Sequence, residues 1–186
     1  ERMLAAGAIP IGRTNLPDMG LRIHTDSSLH GRTKNPWKSE RTAGGSSGGE
    51  GAALATGMSP IGLGNDIGGS LRNPAHACGI ASIKPSVGVI ADAQTYPSPD
   101  RSPAFQTMAV QGVMARNVGD VLKALDKFGL AETTCVVYMA DHGYCLGQHG
   151  RFEKHCGYEP ALRVPLLVRY PGKIRKGTVI NAFTEH

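Results

Sequence analysis

Apolar residues recur at helical spacing at Val118, Val121, Leu122, Leu125 and Phe128, and Gly129 follows as a stop, so a helix is predicted there. TTCVVYMAD comes next, an apolar run that predicts a buried strand. At the other end of the chain, ERMLAAG predicts the last turns of a helix and AIPIGRTN a buried strand ending in a polar turn. The segment PDMGLRIHTDSSLHGRTKNPWKSERTA shows little periodicity. Irregular segments of that length are unusual in compact domains unless they line a site. Trp37 within it is expected to plug the core rather than wall a pocket.

AGGSSGGEGAALATGMSP predicts a glycine-serine turn running into a small-residue helix. PIGLGNDIGGSLRNPAHACGIASIKPS alternates short strand, tight turn, short helix and short strand, with Pro74 compatible with a first helical turn. DAQTYPSPDRSPAF predicts a proline-rich loop and TMAVQGVMA a short apolar segment. DHGYCLGQHGRFEKHCGYEPA predicts a loop dense in ligand-capable side chains, and LRVPLLVRYPGKIRKG a strand and a turn. The alternation as a whole predicts α/β layers with sites at strand ends.

Composition narrows the class. With 40% hydrophobic and 19% charged residues in 186, the chain reads as globular. The 25 glycines, many between Gly44 and Gly88, argue for tight turns and against a helix bundle. A net charge of +5 is scattered, without a basic run or interleaved aromatics, so no nucleic-acid partner is expected. No apolar stretch approaches membrane-spanning length. The opening ERMLAAGAIPIG is not a signal peptide, and a cytoplasmic location is expected. The 4 cysteines do not make a dense disulfide framework.

Two segments carry chemistry. In the first, Gly44-Gly45-Ser46-Ser47-Gly48-Gly49 and Asn65-Asp66-Ile67-Gly68-Gly69-Ser70 place serines in glycine-rich turns. Backbone N–H groups of such a turn converge on one point, as an oxyanion hole or a phosphate cradle. No P-loop pattern or dinucleotide fingerprint accompanies them. Spacing alone leaves an active-site serine and a purely structural turn both open.

The stretch GGSSGGEGAALATGMSPIGLGNDIGGSLRNPAHACGIASIKPS, with AAGAIPIGRTNLPDM, NPWKSERTAGGSSGG and MAVQGVMARNV, resembles the amidase signature family over about residues 1–118. The resemblance implies a partial α/β/α sandwich and an amide or ester hydrolase, or an amidotransferase subunit, with a Ser–cis-Ser–Lys triad. By match, Ser70 is the acyl nucleophile and Ser46 the serine on the cis peptide bond, relaying the proton. The N–H groups of Ile67, Gly68, Gly69 and Ser70 form the oxyanion hole, while Ser47, Asp66 and Arg72 orient the turns. The implied substrate is a small-molecule amide or ester, and no cofactor is implied. The family's lysine lies on a strand upstream of residue 1; Lys34, Lys38 and Lys84 stand in other contexts, and Lys84 is expected to be structural. Asn65 stands where many members have threonine, and Val113 where proline is usual.

In the second segment, Asp141 and His142 close an apolar strand, where a carboxylate and an imidazole suit a hard metal. His149, His155, Cys145 and Cys156 lack the paired spacing of a structural zinc site, and a polar surface loop is the plain alternative. LKALDKFGLAETTCVVYMADHGYCLGQHGRFEKHCGYEPALRVPLLVRYPGKIRKGTVINAFTEH resembles the sulfatase family, within the alkaline-phosphatase-like superfamily, over about residues 119–186. That resemblance implies a partial α/β segment of that fold, with Asp141 and His142 as a metal-ligand pair and Lys154 on the sulfate ester. Glu159 and Arg163 match the region that packs the loop, and calcium or another divalent metal is the implied cofactor. The formylglycine motif and the upstream aspartates of that family are not in these residues.

The seam is expected near Arg116–Asp120. Three functions follow as expectations: an amidase-type serine hydrolase, a metal-dependent sulfuric or phosphonate ester hydrolase, or a chain, fragment or composite, that catalyses neither. Strand edges left without partners by two partial domains point to complementary segments or a homo-oligomer.

Overall fold

The computed structural model describes residues 2–91, 102–127, 129–140, 145–153 and 155–180. The first helix, α1 (Arg2–Ala5), is one turn long. The expected strand after it does not form: residues 8–15 run irregularly and largely exposed, with Ile9 82% and Ile11 73% accessible. An apolar run becomes a strand only where a neighbouring strand takes its backbone bonds, and no strand among the described residues pairs with this segment. The aperiodic region beyond it holds a 3-10 turn at Asp18–Gly20, a minimal hairpin of β1 (Asp26–Ser27) antiparallel to β2 (Gly31–Arg32), and an isolated bridge between Lys34 and Thr42.

From Gly44 onward the glycine punctuation and the elements coincide. Helix α2 (Gly48–Ala55) is followed by β3 (Ile61–Asp66), α3 (Arg72–Cys78) and β4 (Ala81–Ser82). Helix α4 (Pro103–Met108) leads into β5 (Val110–Ala115), and α5 (Val118–Lys127) comes next. The sheet order is β3-β5-β4, both pairs antiparallel, with Ile61 opposite Ala115 and Asp66 opposite Val110. Leu54 of α2, Leu71 beside α3 and Met114 of β5 form the buried core, with Ile80 packed against them. Gly64 lets the helices approach: a β-carbon there would lie 2.6 Å from Ser47 Oγ and 2.9 Å from Leu71 Cδ2.

Helix α5 turns Val121, Ala124 and Leu125 inward, while Val118 is 61% exposed. Asn117 Oδ1 caps it by accepting from Asp120 N at 2.9 Å. Trp37 does not plug the core. It is 73% exposed, and its Nε1 donates to Cys78 O at 2.7 Å. The indole thus satisfies a last-turn carbonyl of α3, beside Gly79 in the left-handed region at φ 67°.

The chain divides into two compact units, Glu1–Phe128 and Gly129–His186. In the second, β6 (Val136–Met139) runs antiparallel to β7 (Leu166–Arg169), and α6 (Glu159–Leu162) stands between them in sequence. The strand expected in TTCVVYMAD is present, but it is not buried: Val137 is 51% and Tyr138 62% accessible. A two-stranded sheet has no second layer of its own to cover such side chains.

Candidate active site

Strand β3 delivers Asp66 to the mouth of the turn Ile67-Gly68-Gly69-Ser70, and α3 starts two residues later. Asp66 has no solvent exposure. Its Oδ1 accepts from Gly69 N at 2.8 Å, and its Oδ2 from Leu71 N at 3.0 Å and Arg72 N at 3.4 Å. Arg72 closes the cage through Nε at 3.1 Å and Nη2 at 2.9 Å. Burial pushes the carboxyl upward. The hydrogen bonds from Arg72, Leu71 and Gly69, with the Arg72 charge, outweigh it and hold Asp66 below the usual carboxylate range.

The second turn is held from three sides. The Gly45–Ser46 peptide is cis, the bond on which Ser46 was expected to sit. Thr25, almost fully buried, donates through Oγ1 to Gly44 O at 2.9 Å and Ser46 O at 3.2 Å. The same oxygen accepts from Gly48 N at 3.0 Å, at the start of α2. Asn73 Oδ1 accepts from Gly45 N at 3.0 Å. Backbone packs against Gly45 so closely that a β-carbon would lie 2.6 Å from Arg22 O and 2.7 Å from His24 N. The two turns are then tied together, since Ser47 N donates to Ser70 O at 3.2 Å and Ser47 Oγ to Asn65 O at 3.5 Å.

This scaffold leaves the chemically useful groups uncommitted. Among the described residues, neither the Ser46 nor the Ser70 hydroxyl has a hydrogen-bond partner. Ser46 is 2% exposed, and its Oγ faces Gly20, where a β-carbon would stand 3.9 Å away. The N–H groups of Ile67, Gly68 and Ser70 likewise have no partner among the described residues, whereas that of Gly69 is held by Asp66. A hydroxyl on a turn of free N–H groups suits attack on a carbonyl whose oxygen gathers charge.

Neighbouring groups brace the site. Thr14 Oγ1 donates to Glu50 Oε2 at 2.8 Å, and burial pushes the Glu50 carboxyl up against the lowering effect of that bond. Lys84 Nζ donates to Met108 O at 3.1 Å, in line with a structural part. Thr25 and Asn73 were not anticipated. Asn73 stands three positions beyond Ser70, in the first turn of α3, a placement the sequence offered; Thr25 lies in the aperiodic stretch and offered none. A cavity of about 520 Å³, lined by Arg13, Asn15, Asp18, Leu29 and His30 among others, includes neither Ser46 nor Ser70.

In the second unit, Asp141, His142 and Lys154 lie outside the described residues. Glu159 and Arg163 form an exposed pair one helical turn apart, with Arg163 Nη1 3.3 Å from Glu159 Oε1, and the buried residue of α6 is Ala161. Among the described residues, no three His, Cys, Asp or Glu side chains gather as a metal-binding group.

Residues 1–132 match the family model described as Amidase and residues 95–186 the one described as Sulfatase, so the span 95–132 falls in both. The indoleacetamide hydrolase of Bradyrhizobium japonicum is 50% identical over 127 residues, 68% of this chain and 27% of that protein. The 6-aminohexanoate-cyclic-dimer hydrolase of Paenarthrobacter ureafaciens is 42% identical over 126 residues, 68% of this chain and 25% of that protein. The solved structure of 6-aminohexanoate cyclic dimer hydrolase complexed with substrate superposes with a TM-score of 0.61 at 42% identity, over 67% of this chain and 25% of that one. The chain therefore spans about a quarter of the length of these relatives.

Proposed function

The chain belongs to the amidase family, and from that premise we propose that it carries the acyl-transfer part of an amide-bond hydrolase with Ser70 as nucleophile. The observation that supports this best is the pair of free hydroxyls, Ser46 and Ser70, on glycine turns joined by the Ser47 N to Ser70 O bond. Ser70 Oγ attacks the substrate carbonyl carbon, and the oxygen takes its charge toward the N–H groups of Ile67, Gly68 and Ser70. Gly69 serves by fixing the turn through Asp66. The Ser70 proton passes to Ser46 Oγ and on to a lysine base, then to the leaving amine; water completes the cycle by releasing the acyl group. We assign that base to the lysine that the amidase resemblance places upstream of residue 1; among the described residues no ammonium bonds to Ser46. The proposed substrates are small amides, the class that the names of the relatives describe.

A fluorophosphonate probe tests the assignment. It is expected to modify Ser70, with Ser70→Ala abolishing the label and Ser46→Ala slowing it by about 10²–10⁴-fold, the usual worth of positioned proton transfer. Label on another residue, or label that survives Ser70→Ala, rejects it.

A second proposal concerns residues 119–186, supported by the Sulfatase match. There, Asp141 and His142 would hold calcium or another divalent metal, and Lys154 would meet the ester anion. The bound metal would supply Lewis acidity. Calcium-dependent cleavage of an aryl sulfate supports this second activity; failure of both assays leaves a chain that catalyses neither reaction.

A further inference from the structure

Outside the serine turns, the second unit holds a pair of thiols that neither proposed reaction uses. Cys145 Sγ and Cys156 Sγ lie 3.6 Å apart, although the residues are 11 positions apart in sequence. Their closeness is built by the chain between them. Cys145 N donates to Glu153 O at 2.9 Å and Gly147 N to Arg151 O at 2.9 Å, two rungs that fold the loop back on itself. At its tip, Arg151 N bonds Gln148 O at 3.1 Å and Gly150 N bonds Gly147 O at 3.1 Å. Side chains pin the returning limb: the His149 ring stacks on Tyr158 with centroids 4.0 Å apart, and Arg151 lies 5.8 Å from the same ring while pairing with Glu153.

We propose that Cys145 and Cys156 are a reversible disulfide site, oxidised by thiol–disulfide exchange with a small soluble disulfide such as oxidised glutathione. Cys145 has no solvent exposure, whereas Cys156 is half-buried, so the incoming disulfide meets Cys156 first. The Cys156 thiolate attacks one glutathione sulfur, forming a mixed disulfide and expelling one glutathione thiolate. The Cys145 thiolate then attacks Cys156 Sγ, forming the internal bond and expelling the second. Two electrons pass from the protein thiols to the glutathione disulfide, and the two thiol protons end on the two glutathiones. Burial, with the neighbouring Cys156, pushes the Cys145 thiol up. The bond pulls the sulfurs from 3.6 Å to the roughly 2.05 Å of a disulfide and staples the loop that contains Lys154 in sequence.

The test uses the whole protein, incubated natively over a series of reduced-to-oxidised glutathione ratios, quenched in acid, denatured, alkylated and mapped by mass. Cys145 and Cys156 should lose alkylation together in a species about 2 Da lighter, and dithiothreitol should restore both. Exposed Cys135 should remain open to alkylation or carry glutathione alone, without bridging to either. Repeating the exchange in urea should slow bridging at least about tenfold, because the loop no longer holds the thiols together. The proposal is overturned if both cysteines stay alkylatable, if glutathione rests on Cys156 without bridging, if either pairs with Cys135, or if urea leaves the rate unchanged.

Discussion

A carboxylate with no contact with solvent must be matched by donors, and Asp66 is matched by three backbone N–H groups and the Arg72 guanidinium. Arg72 is itself 56% exposed, so water screens its charge and the backbone donors matter more than the ion pair alone suggests. The folded carboxyl lies below its unfolded value, near 3.9. Its contribution is therefore complete above that value and disappears as pH falls through it toward the lower folded one. Asp66→Asn should cost about 1–3 kcal/mol at pH 7, the usual worth of charge-assisted hydrogen bonds whose buried backbone donors lose their acceptor. Urea unfolding at several pH values should show the gap between the two proteins narrowing below about pH 4. A gap independent of pH would mean that shape, and not charge, is what the turn requires. Cys78 shows the opposite case: burial pushes its thiol up to about 11, and its Sγ faces Ala43 O at 3.3 Å, so it is packing material and not a nucleophile.

Among the elements, the glycine-serine turn ahead of α2 takes its shape from a residue far away in sequence. Thr25 stands just ahead of the two-residue strand β1, yet its hydroxyl bonds Gly44 O, Ser46 O and Gly48 N. Thr25→Val keeps the shape but removes these bonds and strands buried polar groups, at about 1–3 kcal/mol. The variant should melt at lower temperature and label Ser70 more slowly even well below its melting point, while Thr25→Ser should restore the labelling rate. Equal labelling by Thr25→Val and the parent protein would confine Thr25 to stability. The sequence made α2, β3 and α3 legible because glycine and proline punctuate them, and it marked Ser46 and Ser70 because those glycines leave a backbone path to the serines. It was silent on Thr25, since a hydroxyl that acts across 21 positions leaves no periodic trace. It was misleading at residues 8–15 and Trp37, where apolar character alone suggested burial that no neighbouring element supplies.

Across the whole molecule, protection should follow how each sheet is covered. In the first unit, β5 lies between β3 and β4 with Val113, Met114 and Ala115 fully buried. Its amides can exchange only when that core opens. In the second unit, β6 and β7 pair only with each other among the described residues, and all four residues of β7 are exposed. A two-stranded sheet with water on its side chains is marginal on its own, and it opens without disturbing a core. Hydrogen exchange read by mass spectrometry should therefore place the amides of Val136–Met139 and Leu166–Arg169 at least about a hundredfold less protected than those of Val110–Ala115, a difference of about 2.7 kcal/mol in opening free energy. Calcium sharpens the same measurement. If Asp141 and His142 take a metal as proposed, millimolar calcium should slow exchange in β6, which ends just before them, and leave β5 unchanged. Uniform protection across both sheets would instead show that β6 and β7 are covered by contacts other than those described, and equal slowing in β5 would show that calcium acts on the protein in general rather than at that strand end.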